Sequence, residues 1–175
     1  MKTCLKKSLQ FAFAMLVAIS MSFGSSVTLP QPVFAAETWT NIASMNTERF
    51  MHTATLLSDG KVLVAGGSNV ASGYLASAEV YDPAANTWTP AASMSTLRLN
   101  HVATLLPDGR VLVAGGQLNS STFLSSAEVY DPLANTWTNV ASMHMRRRSP
   151  TMTLLPNGKV LVTGGQQTAS APGFL

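Results

Sequence analysis

His101–Gly116 reads HVATLLPDGRVLVAGG: an apolar run, a Pro-Asp-Gly turn, a second apolar run and a glycine pair. The same block stands at His52–Gly67 as HTATLLSDGKVLVAGG and at Pro150–Gly165 as PTMTLLPNGKVLVTGG. The first glycines of the pairs, Gly66, Gly115 and Gly164, are 49 residues apart, and so are Trp39, Trp88 and Trp137. Residues 39–87 and 88–136 align without a gap and share 32 identities in 49. A fixed period of this size is the mark of a tandem structural repeat, with units at about 39–87, 88–136 and 137–175.

Working outward from the block, each Asp-Gly or Asn-Gly pair lies between apolar runs. These pairs accept positive φ and so close a β-hairpin. The second run, Val-Leu-Val, is apolar on both faces, as in a strand covered on both sides. The glycine pair ends it, and the missing Cβ permits a close backbone approach there. A variable stretch follows at 68–75 and 117–124. Then comes a third strand, Ser-Ala-Glu-Val-Tyr-Asp at 77–82 and 126–131, stopped by Pro83 or Pro132. Trp88 and Trp137 mark a fourth. No segment carries a helical apolar period, so the fold is expected to be all-β. Hairpin turns require antiparallel strands, which favours a four-stranded propeller blade over a parallel solenoid rung.

The N-terminal segment reads differently. Lys2, Lys6 and Lys7 precede an apolar stretch, Leu9–Phe23, and Val33-Phe34-Ala35 suits a signal peptidase. Residues 1–35 are therefore expected to be a cleaved signal peptide, and 36–175 a secreted or cell-surface product of bacterial export. The apolar stretch is shorter than the roughly 20 residues that span a bilayer, so no stable membrane span is expected after cleavage. Three of the eleven basic residues leave with the leader, and residues 36–175 hold eight basic and eight acidic side chains. Only Arg146-Arg147-Arg148 forms a basic run, without interleaved aromatics, so nucleic acid is not an expected partner. The one cysteine, Cys4, also lies in the leader, and residues 36–175 can form no disulfide and no thiolate site.

The pattern of Gly66-Gly67, Tyr81-Asp82-Pro83 and Trp88 resembles the kelch-repeat family of β-propellers. Gly115-Gly116, Tyr130-Asp131-Pro132 and Trp137 repeat it, and Gly164-Gly165 begins a third copy. The His-Thr-Ala-Thr-Leu-Leu form is similar to a bacterial branch related to the propeller domain of galactose oxidase. The resemblance implies a kelch-type propeller, here a fragment with two complete four-stranded blades and a partial third. Propellers have at least four blades, and here the complete units are about 49–89 and 98–138, with an inner hairpin at 147–165. Self-association through open end blades is a further expectation.

Kelch-like propellers mostly act as binding scaffolds, which implies recognition of a protein or carbohydrate through blade loops, with no catalysis by this chain and no cofactor. The alternative is a fragment of a galactose-oxidase-like enzyme whose active-site residues lie outside the chain. The copper-radical centre of such enzymes needs a cysteine, which residues 36–175 lack. His52, His101 and His144 show no metal-ligand spacing.

Candidate binding residues are of two kinds. Arg49, Arg98 and Arg147 recur at the entry to each inner strand. They read either as an anion- or partner-binding ring or, preferably, as structural arginines holding the loop carbonyls of the neighbouring blade or a carboxylate. Glu79 and Glu128 likewise read as members of a fixed inter-blade salt bridge or as hydrogen-bond partners of backbone, and Asp82 and Asp131 as caps of their own turns. The variable loops carry the binding expectation, because recognition concentrates in loops on a rigid frame. Their candidates are Asn69, Tyr74, Gln117, Asn119 and Phe123, with Tyr74 and Phe123 read equally as ligand-stacking rings or as loop anchors.

Overall fold

A computed structural model describes residues 40–167; the leader, Trp39 and residues 168–175 lie outside it. Every regular element among the described residues is a β-strand. The first blade comprises β1 (Thr53–Leu56), β2 (Val62–Ala65), β5 (Ala78–Asp82) and β6 (Thr87–Ala91), paired antiparallel in that order. A short hairpin, β3 (Ser68–Asn69) and β4 (Gly73–Tyr74), rises from the loop between its second and third strands. The second blade is β7 (Val102–Leu105), β8 (Val111–Ala114), β9 (Ala127–Asp131) and β10 (Thr136–Val140). A third hairpin, β11 (Thr151–Leu154) and β12 (Val160–Thr163), repeats the inner pair. The fold is two full blades of a propeller and part of another, as the 49-residue period predicts.

Register explains which residues meet. In the first blade Thr55, Leu63, Val80 and Thr89 lie in one cross-strand row, and Leu56, Val62, Tyr81 and Trp88 in the adjacent row on the opposite face. The second blade repeats this, so Leu105, Val111, Tyr130 and Trp137 share a row. The main core lies at the seam: Leu63, Ala65 and Ala78 of the first blade pack with Val111, Val113 and Tyr130 of the second, and Met94 joins from the connection. Strand β7 runs beside both β1 and β11, which sets the inner strands side by side.

The glycine pair makes this approach fit. A Cβ on Gly66 would stand 2.5 Å from the Arg98 carbonyl oxygen and 2.9 Å from the His101 ring. Gly67 donates its N–H to the same carbonyl at 2.9 Å. Gly115 and Gly116 repeat the arrangement against Arg147.

At the outer edge, both described tryptophans grip the segment that arrives from the preceding unit. Trp137 Nε1 donates to the Ala92 carbonyl at 2.8 Å, and Trp88 does the same to Ala43. Asn135, at φ 50°, accepts from both Tyr130 Oη and the Ala92 N–H, and Asn86 copies it with Tyr81 and Ala43. Asparagine tolerates the left-handed region, so one residue turns the chain and joins two units.

Candidate functional site

The meander puts two kinds of connection at opposite ends of each blade. The turns at 57–61 and 83–86 close one end, and the variable loop 66–77 and the inter-blade segment 92–101 close the other. The candidate residues named above gather at this second end.

Arg49 and Arg98 are not open to solvent; both side chains are fully buried. Arg98 Nη2 donates to Glu128 Oε1 at 2.8 Å and to Ser126 Oγ, and Nη1 donates to the carbonyls of Gly115 and Ser126. Arg49 makes the same set with Glu79, Ser77 and Gly66. Each glutamate also accepts two backbone N–H groups from the incoming segment, Asn46 and Thr47 on Glu79, and Ser95 and Thr96 on Glu128. The arginines hold carbonyls and a carboxylate, but all of them come from the same blade and not from a neighbouring one. Pairing of the third strand with the second brings the glutamate and the serine carbonyl to the arginine. Arg147 is half-buried and donates to the Gly164 carbonyl, with no carboxylate beside it among the described residues.

Burial alone would raise the Glu79 carboxyl. The Arg49 guanidinium and the two backbone N–H groups outweigh it and hold Glu79 below the usual carboxylate value. Burial pulls Arg98 below its ordinary value, against the opposing pull of Glu128. His101 is enclosed at the seam, with Nε2 2.9 Å from Thr53 Oγ1 of the neighbouring blade and Nδ1 without a partner. Burial, then the charges of Arg98 and His52, depress its pKa to about 3, so it is neutral across the physiological range. His52 is lowered for the same leading reason, desolvation.

The variable loops stand on this frame. Leu75 and Leu124 each donate their N–H to the second residue of their own upstream glycine pair, and their carbonyls accept from Arg98 and Arg147 of the next repeat. Both loop ends are thereby held. Asn69 Oδ1 takes the N–H groups of Ala71 and Ser72, and Asn119 Oδ1 those of Ser121 and Thr122, so both side chains shape their own turns. Phe123 is buried and lies under the Arg148 guanidinium, 5.8 Å from the ring centroid, which makes it an anchor. Tyr74 is half-buried on β4. Gln117 is buried with Oε1 unpartnered, and its backbone bridges Leu99 and Phe123. The structure therefore leaves Asn119 exposed and Tyr74 half-buried, and draws Arg49, Arg98, Asn69, Gln117 and Phe123 inward.

Sequence reasoning overlooked the opposite end. There the seam between the blades opens as a cleft of about 480 Å³, between the Ser58-Asp59-Gly60 turn and the two turns of the second blade. The available signal was a difference, not a repetition: Lys61 in one unit is Arg110 in the next.

Four-stranded antiparallel units repeated every 49 residues, with a glycine pair and an outer tryptophan in register, define a β-propeller repeat protein. The kelch motif model matches residues 49–95 and 98–144, more than half of the chain, and the chain belongs to the kelch-motif family. Each matched segment runs from the buried arginine to the loop that joins the next unit. No curated protein matches the chain. Among the described residues no three His, Cys, Asp or Glu side chains are grouped to hold a metal ion, and no helix is long and apolar enough to cross a membrane.

Proposed function

We propose that this chain is an exported binding scaffold that recognises protein or glycan through loops 68–75 and 117–124 and catalyses no reaction itself. One observation carries the reading: the recurring polar groups are engaged inside the frame, while the loops that differ between units are fixed at their ends and project from it. A frame of this kind presents loops without losing affinity to their disorder. The exposed part of Tyr74 supplies an amphipathic ring, and Asn119 a turn with surface amides. Export rests on the leader sequence and predicts a product beginning near Ala36.

The chain also self-associates in this reading, through the face of the first blade that carries Leu56. Leu56 is 63% exposed, whereas its repeat equivalent Leu105 packs in the seam core.

Glycan and protein arrays probed with the purified chain test the proposal. The expected result is a ligand class whose binding is lost on exchanging loop 68–74 for a Gly-Ser linker, with the fold unchanged. Retained binding in that variant would refute the loop assignment.

A further inference from the structure

At the end of the blades away from the loops, the repeat breaks its own symmetry. Lys61 of the first blade reaches across to Asp82, Nζ to Oδ2 at 3.2 Å. The equivalent Arg110 of the second blade turns back instead onto Asp108, Nε at 2.8 Å and Nη2 at 2.6 Å from Oδ2. The planar guanidinium brings two N–H donors onto one Asp108 oxygen, which a single ammonium cannot do, and so closes on its own turn rather than on the third strand. Among the described residues Asp131, the equivalent of Asp82, is left without an ion pair, although Arg110 is near enough to feel its charge, and Asp59 across the seam has no ion pair either. Each uses only Oδ1 within the protein, Asp59 for the Lys61 N–H and Asp131 for the Leu133 and Ala134 N–H groups.

Both carboxylates line the 480 Å³ cleft, whose apolar surface comes from Leu57, Pro107, Pro132 and Leu133. Leu133 is 99% exposed. Local charge is negative although residues 36–175 balance overall, because Asp59, Asp82, Asp108 and Asp131 outnumber Lys61 and Arg110, and both of those cations are already in ion pairs. Two carboxylates alone make a poor divalent-cation site, since calcium takes six or more oxygens.

We propose that this inter-blade cleft docks an extended segment of a partner protein that presents an arginine or lysine next to an aliphatic side chain. The cation lies between Asp59 and Asp131, and the aliphatic group covers Leu133 and the prolines. This surface is separate from the loops, and its test is independent of theirs.

The full chain, ¹⁵N-labelled at low salt, is titrated with a blocked hexapeptide containing Arg-Leu, with the matching Glu-Leu and Arg-Ser peptides, and with arginine amide. The expected result is saturable shifts at Asp59, Gly109 and Leu133, no response to Glu-Leu, and weaker binding of Arg-Ser. Asp59→Asn and Asp131→Asn should each weaken binding about two- to fivefold, the range for an exposed ion pair. Arg110→Lys should do the same, because a lysine there restores the pairing seen at Lys61–Asp82, now onto Asp131. These are surface substitutions, and an unchanged spectrum outside the cleft confirms the fold. The proposal is overturned if low-millimolar Arg-Leu peptide causes no shifts, or if Glu-Leu binds equally. It is also overturned if arginine amide binds as tightly as the peptide, or if all three variants bind like the parent.

Discussion

The Arg98 guanidinium and the Glu128 carboxylate meet at 2.8 Å with both side chains completely buried, and Arg49 and Glu79 repeat the contact one blade earlier. The pair ties the entry of the inner strand to the third strand, and the glutamate also secures the segment arriving from the previous unit. A buried pair adds little over a well-packed apolar substitute, yet losing one partner leaves a charge stranded. Arg98→Met is therefore expected to cost about 3–5 kcal/mol in urea unfolding. Adding Glu128→Leu should cost less than the sum of the two single changes, with a coupling of about 1–3 kcal/mol in the double-mutant cycle.

Acid sensitivity follows chiefly from His101 and Glu79, with the lowered His52 adding in the same direction as His101. Unfolded histidine takes up a proton below its ordinary pKa of 6.5, but His101 in the fold does not until about pH 3. Stability from His101 is thus complete above pH 6.5, declines as pH falls toward 3, and is level below it. The slope is at most about 1.4 kcal/mol per pH unit. Glu79 is held below its ordinary 4.5, so its contribution is present above that value and is lost as pH falls through its lower folded value. Urea unfolding from pH 8 to 3.5 should show the decline beginning near pH 6.5, and His101→Gln should remove most of it above pH 4.5.

Gly66 and Gly60 both have positive φ, +65° and +85°, but only Gly66 lacks space. Gly60→Ala should cost about 1–2 kcal/mol from backbone strain alone. Gly66→Ala adds a clash with the Arg98 carbonyl and should cost about 1–3 kcal/mol more. Thermal denaturation of the two variants separates the terms.

Leu56 and Leu105 occupy the same repeat position with opposite surroundings. Leu105→Asp sets an unpaired carboxylate at a half-buried position against the seam core and should destabilise by about 1–3 kcal/mol. Leu56→Asp should change stability by less than about 0.5 kcal/mol while shifting sedimentation toward the monomer.

Much of the frame could be read from sequence because the repeat supplies its own alignment. The hairpin at Asp108-Gly109, the glycine pair and the tryptophan each recur in register, so the strand order of one unit fixes that of the next. The turn-capping roles of Asp82 and Asp131 were also legible, and each accepts the two N–H groups expected of such a cap. The partner of Arg98 was not, because Glu128 lies thirty residues away and becomes its neighbour only once the third strand pairs with the second. Phe123 could not be resolved into anchor or ligand platform, since its burial depends on Arg148 arriving from the next unit. The cleft near Asp131 was hidden for a related reason. A Lys-to-Arg change between repeats looks conservative in sequence, yet the two side chains choose different carboxylates.

The central claim is that successive repeats mate side by side as wedges, and the Trp137 indole reports on it directly. Its N–H is bonded to the Ala92 carbonyl of the preceding unit at 2.8 Å. Two-dimensional NMR, with the signal assigned through Trp137→Phe, should show that N–H protected from solvent exchange and a cross-peak from the ring to Ala92. An indole that exchanges at the rate of free tryptophan, with no contact to Ala92, would contradict the account.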